Sequence, residues 1–149
     1  MTQQRDQSYI AQSVYHKMID QDFFSQWMGV EMIDISAGYC KLRMTVKQQM
    51  LNGFGILHGG VSFAFADSAF AFASNSHGRL SVSQNASMTY AKPAKEGDVL
   101  LAEATQLALG NRTGTFDVKI TNQTTSELIA LFRGSVFRTE QQHLEPDHK

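Results

Sequence analysis

One acid sits inside the most apolar run of this chain. Leu51 to Ser76 reads LNGFGILHGGVSFAFADSAFAFASNS, beginning as a glycine-rich loop and turning apolar after Gly60. From Val61 on, Asp67 is the only charged residue, and no cation stands within four positions on either side. An ionised carboxylate removed from water costs several kcal/mol unless something compensates it, so the fold has to accommodate this one. Phe63, Phe65, Phe70 and Phe72 allow a period-two strand reading. The run is too long for an ordinary strand, however, and five of its sixteen residues from Val61 are alanine, a strong helix former and a poor strand former. It is therefore read as a helix, apolar nearly all round and so buried on most sides.

Gly59 and Gly60 place the helix start near His58. A helix start carries free N–H groups and the positive end of the dipole, which can hold developing negative charge on an oxygen. One segment thus offers both an electrophilic clamp and a carboxylate. They are eight residues apart, about 12 Å along a helix axis, whereas reacting groups must lie within about 3 Å of one another. One helix cannot supply both ends of a site. Two antiparallel copies about a two-fold axis can, with Gly59 of one subunit facing Asp67 of the other. The two-fold dimer is also the commonest assembly of soluble proteins.

The rest of the chain supplies the wrapping. Tyr9, Ile10, Val14 and Met18 have helical spacing, and DFFSQWM reads as a further short turn, giving an N-terminal helical region over about 6–28. Val30–Ser36 reads as a strand, and Leu42, Met44 and Val46 alternate with polar residues in a second. After the helix come four extended segments: Ser81–Tyr90, Val99–Leu109, one around Phe116–Thr121, and Leu128–Phe137. Hairpin-length connections among these late strands predict an antiparallel sheet. A single apolar helix needs a curved sheet around it. The fold class is α+β, in a single domain over 1–149 with a polar tail over about 140–149.

Bulk properties narrow the function. A net charge of −1 gives no electrostatic reason for a nucleic-acid or membrane partner. A single cysteine, Cys40, excludes an internal disulfide and any multi-cysteine metal site. The polar start MTQQRDQSYIAQ does not read as a secretory signal, and Val61–Ala73 is shorter than a membrane span, so a cytoplasmic protein is expected. Plainer readings stand beside the chemical one. Asp67 could be a structural acid paired with an arginine such as Arg133, His58 a capping residue, Asn52 a loop-holding residue of an Asn-Gly turn, and GNRTG a hairpin turn.

The spacing of Asn52-Gly53, His58-Gly59-Gly60 and Asp67 resembles that of the hotdog-fold acyl-CoA thioesterases of the phenylacetate-degradation (PaaI) type, and LIALFRGSVFR near the end is similar to the same subfamily. The resemblance runs from about Trp27 to Arg138. It implies a hotdog fold, an antiparallel sheet wrapped round a long central helix. It implies hydrolysis of acyl-CoA to a free acid and CoA, with no metal and no cofactor. By resemblance Asp67 is general base or nucleophile, the Gly59 N–H polarises the thioester carbonyl, Asn52 places water or carbonyl, and His58 supports the loop. Ser83 aligns with a serine that assists in relatives, and Lys92, Arg112 and Thr113 fall where relatives touch CoA. A homodimer with shared sites follows, and pairing of dimers into a homotetramer. The alternatives are a hotdog-fold acyl-thioester hydratase or dehydratase and a non-catalytic acyl-CoA binder. Phenylacetyl, hydroxyphenylacetyl or another aromatic or medium-chain group is the expected acyl part.

Overall fold

The computed structural model describes residues 2–145, so Met1 and the last four residues of the expected polar tail lie outside the description. Two helices open the chain, α1 (Thr2–Gln21) and α2 (Phe23–Met28). The strands β1 (Glu31–Ser36) and β2 (Tyr39–Thr45) follow, then a 3₁₀ turn at Gln48–Met50 and the helix α3 (Gly59–Asn75). Four strands complete the fold: β3 (Arg79–Tyr90), β4 (Val99–Leu109), β5 (Thr113–Asn122) and β6 (Leu128–Gln142). The helical region expected over 6–28 is two helices, because Asp22 ends one and caps the other: its carboxylate accepts the Ser25 N–H at 3.0 Å. The last strand runs five residues past Phe137, into the expected tail. No helix is long and apolar enough to cross a membrane, among the described residues.

The six strands form one antiparallel sheet in the order β1-β2-β4-β5-β6-β3. This departs from a run of simple hairpins. β3 does not pair with β4; it lies at the far edge against β6, with Ser83 opposite Val136 and Tyr90 opposite Ala130. The chain from Ala91 to Asp98 must therefore cross three strand spacings, about 14 Å, before β4 can join β2. Local alternation shows where strands are and which face is wet, but not which strand is the neighbour.

α3 lies on the concave face as expected. Phe65, Phe70 and Phe72 are fully buried with Leu42, Ala102, Val118 and Phe132. Burying each such side chain contributes about 1.5–3 kcal/mol. Phe70 packs edge-on to Phe116 and tilted on Phe132, with ring centres 5.8 and 5.4 Å away. Gly134 makes room for it: a Cβ there would lie 2.8 Å from the Phe70 ring. On the other side Phe72 meets Tyr15 of α1 at 4.9 Å. The sheet thus covers one flank of α3, and α1 and α2 cover the other.

Asp67 falls between these flanks. At 3.6 residues per turn, Phe70 stands about 60° to one side of it and Ser68 about 100° to the other. Ser68 is held by Ser25 of α2, with hydroxyl oxygens 2.8 Å apart. Gly60, Ala64, Asp67 and Ala71 share the stripe between, and each is exposed or half-buried. The acid is half-buried on that stripe, between the α2 contact at Ser68 and the sheet contact at Phe70.

Candidate active site

The α3 N-terminus is built by its loop. Asn52 Oδ1 accepts the Phe54 N–H at 2.9 Å and the Ile56 N–H at 3.4 Å, closing the Asn-Gly turn. The His58 N–H donates to the Met50 carbonyl at 2.8 Å, and a short bridge joins Leu51 to Leu57. His58 is the N-cap, in extended conformation, and its Nδ1 accepts the Gly60 N–H at 2.8 Å. The Val61 and Ser62 N–H groups both reach the His58 carbonyl. Of the first four amides of α3, the Gly59 N–H alone has no partner among the described residues. Tyr90, the last residue of β3, donates its hydroxyl to the Gly59 carbonyl at 2.8 Å and so holds the next peptide, Gly59–Gly60, in place.

This amide opens on a cleft of about 480 Å³. Its wall is the β3–β4 crossover, Ala91 to Ala94, fixed by the Leu57 N–H to the Ala94 carbonyl and by the Ala91 and Lys92 N–H groups to the Ile129 carbonyl. Asn52, Gly59, Tyr90 and Lys92 all line it. The Lys92 ammonium is paired with Glu127, both ends exposed, so its net pull on an anion is reduced.

Asp67 differs electrostatically from every other acid described. No described residue donates a hydrogen bond or ion-pairs to its carboxylate, and its pKa is raised, first by burial and then by the nearby negative charge of Asp22. The structural alternative, pairing with Arg133, is overturned: Arg133 grips Asp117 on the outer face with a two-toothed contact at 2.7 and 3.0 Å. A half-buried, unpaired carboxylate with a raised pKa has the properties of a candidate base or nucleophile.

The structure brings Asn52, His58, Gly59 and Lys92 to one end of the sheet. Arg112 and Thr113 lie at the other, in the β4–β5 hairpin, beside Arg79 and Asn111. The length of β4 separates the two ends, roughly 35 Å for eleven residues. Ser83 is exposed midway along the edge strand β3. His58 is the capping residue of the plainer reading, and with its Nδ1 lone pair engaged it is poorly placed for the histidine-and-acid proton transfer of a hydratase. Sequence reasoning missed Tyr90, whose role depends on a contact across 31 residues, and Asp22, whose link to Asp67 spans two helices.

An antiparallel sheet folded over one central helix is the hotdog architecture, and here that helix carries an open amide at its head and an unpaired acid two turns on. The Thioesterase superfamily model matches residues 54–129, half of the chain. The chain is 38% identical to the acyl-coenzyme A thioesterase PaaI of Escherichia coli, over 83% of this chain and 87% of that protein. The solved structure of the E. coli PaaI protein from the phenylacetic acid degradation operon superposes with a TM-score of 0.88 at 36% identity, covering 91% of this chain and 97% of that one. A mutant form of the phenylacetic acid degradation protein PaaI from Thermus thermophilus superposes at 0.76 and 35% identity, over 79% and 100%. The chain belongs to the thioesterase superfamily and is a thioester hydrolase of the hotdog fold.

Proposed function

We propose that this protein hydrolyses acyl-CoA thioesters at two sites shared across a homodimer. The observation that carries the reading is the pair of groups left open on α3: the Gly59 N–H and the Asp67 carboxylate. They lie eight residues apart, about 12 Å on one rigid helix, and so serve different sites. In each site the Gly59 N–H of one copy polarises the thioester carbonyl, and Asp67 of the other either attacks that carbon or takes a proton from an attacking water. Direct attack expels the thiolate and leaves a mixed anhydride, which water opens at the Asp67 carboxyl carbon; water attack breaks the C–S bond and places the water oxygen in the acid; in both the thiolate takes up a proton as CoA. Asn52, whose Oδ1 holds the loop, keeps its amide Nδ2 to orient water or carbonyl.

The same assembly accounts for the separation of Lys92 from Arg112 and Thr113. β3 is a twelve-residue edge strand with an open row of backbone groups. Pairing it antiparallel with its copy sets the Arg79 end of one chain beside the Tyr90 end of the other. Arg112 and Thr113 of the second copy then approach the Gly59 cleft, and Ser83 lies near the axis. Arg112 supplies a charge-assisted contact for a CoA phosphate. Pairs of such dimers form the proposed homotetramer.

Gly60, Ala64 and Ala71 leave small side chains on the Asp67 stripe of α3, and α2 carries the exposed rings of Phe24 and Trp27, 5.6 Å apart. This supports an aromatic or medium-chain acyl group, with phenylacetyl-CoA and hydroxyphenylacetyl-CoA first. A panel of acyl-CoA substrates, followed by thiol release, tests this. The expected result is the highest kcat/KM for the arylacetyl members and no release by Asp67→Asn. Turnover retained in that variant overturns the reading. Single turnover in ¹⁸O-water distinguishes direct attack, which labels the protein, from water attack, which labels only the acid.

A further inference from the structure

The head of α2 is wired to the acid-bearing turn of α3. Asp22 Oδ1 accepts the Ser25 N–H at 3.0 Å, and Oδ2 accepts the Ser25 hydroxyl at 2.6 Å. The Ser25 oxygen lies 2.8 Å from Ser68 Oγ. A carboxylate only accepts, so the one Ser25 proton goes to Asp22, and Ser68 must donate to Ser25. The chain therefore runs in one direction, Ser68 to Ser25 to Asp22. Ser25 is 1% exposed and Ser68 8%, so neither hydroxyl has water to replace its partner. Ser68 is the residue next to Asp67.

Capping explains only half of this. A six-residue helix needs one acceptor for its first amides, and serine or asparagine caps as well as aspartate without a charge. Here the second oxygen reaches across to α3, and a like charge is set beside an acid already short of water. The other charges on the packed elements are engaged elsewhere, and the Lys47 ammonium donates to the Trp27 carbonyl at the far end of α2, at 2.8 Å. α2 has no charged side chain and α3 has none besides Asp67. The sheet positions facing α3 are apolar. The α1 contact is Tyr15 on Phe72, while Lys17 turns away to the His143 carbonyl. On β3, Arg79 is held by the carbonyls of Thr139 and Arg138. Asp22 is the one charge found to act on Asp67.

We infer that Asp22 is a positioning residue for Asp67: through Ser25 and Ser68 it fixes the turn of α3 that carries the acid. The inference rests on the thioesterase reading for its kinetic consequence but not for its electrostatic one. Two variants of the full chain separate the parts. Asp22→Asn keeps an Oδ1 for the cap and an amide to meet Ser25, and removes the charge. Ser25→Ala keeps the charge and cuts the chain of hydroxyls.

In Asp22→Asn the acid limb of the kcat/KM profile moves to lower pH, and so does the Asp67 titration followed by ¹³C-carboxyl NMR. In Ser25→Ala the limb stays and kcat falls about tenfold, within the range a small misplacement of a reacting group produces. A parental kcat in Ser25→Ala overturns the inference, as does an Asp67 titration unmoved by Asp22→Asn. Persistent hydrolysis in Asp67→Asn overturns the thioesterase mechanism instead, and the NMR titration still decides the role of Asp22.

Discussion

The charge on Asp67 opposes folding. Its pKa in the folded chain is raised by burial and by Asp22, so between the ordinary carboxylate range and that raised value the native state binds more protons than the unfolded one. Stability therefore falls as pH rises through that window and stays lower above it. Asp67→Asn carries no such charge. Its Tm is expected to match the parent in acid and to exceed it at neutral pH, by about 2–4 °C per kcal/mol recovered, as read by calorimetry at both pH values. Equal Tm differences at both would mean that the buried charge is not the cause. Gly59 permits a cleaner cut. It is the first helical position, where proline is favoured, and His58 before it already has the extended backbone (φ −61°, ψ 132°) that a following proline requires. Gly59→Pro removes the N–H alone, with a few tenths of an ångström of adjustment by the Tyr90 ring. The expected loss in kcat is about 10²–10³, the usual effect of deleting one oxyanion donor, with circular dichroism unchanged.

At the scale of elements, α3 was the most legible part of the chain. Its alanines and phenylalanines specify a buried helix, and the observed Gly59–Asn75 begins where the glycines place it. β4 was legible to the residue, because Val99–Leu109 is bounded by Asp98 and Gly110. The position of β3 was not. Its small, weakly alternating residues describe an extended segment, but nothing local says that it pairs with β6 rather than β4. That choice is made by the chain having to carry α3 across the sheet and return. The site was half legible for the same reason. Asn52, His58, Gly59 and Asp67 sit on one continuous stretch, whereas Tyr90 and Asp22 reach it through contacts with no sequence period. Packing between elements is tightest where Phe70 lies on Gly134. Gly134→Ala puts a methyl 2.8 Å from that ring, and chemical denaturation should show a loss of about 1–3 kcal/mol, the ordinary effect of overpacking. A neutral result would mean that Phe70 has another rotamer open to it.

The whole molecule is where the shared site can be tested without knowing the substrate. Gly59→Pro and Asp67→Asn proteins are each expected to be inactive. If the donor and the acid of one site come from different copies, a mixed dimer has one site with both defects and one with neither. Subunit exchange between the two proteins should therefore restore about a quarter of parental activity at equal mixing. Light scattering should report at least two chains per particle. No recovery after exchange that native mass spectrometry shows to be complete would place both groups in one chain's site.

Tyr90 adds a consequence to that assembly. It ends the free edge strand, and its hydroxyl holds the first carbonyl of α3. Whatever settles against that edge also bears on the Gly59–Gly60 peptide, the one next to the open Gly59 amide. A slip of two residues in how the strands meet would leave both chains folded and joined, yet with the grip mis-set. The alignment of the seam is thus a calibration of the catalyst.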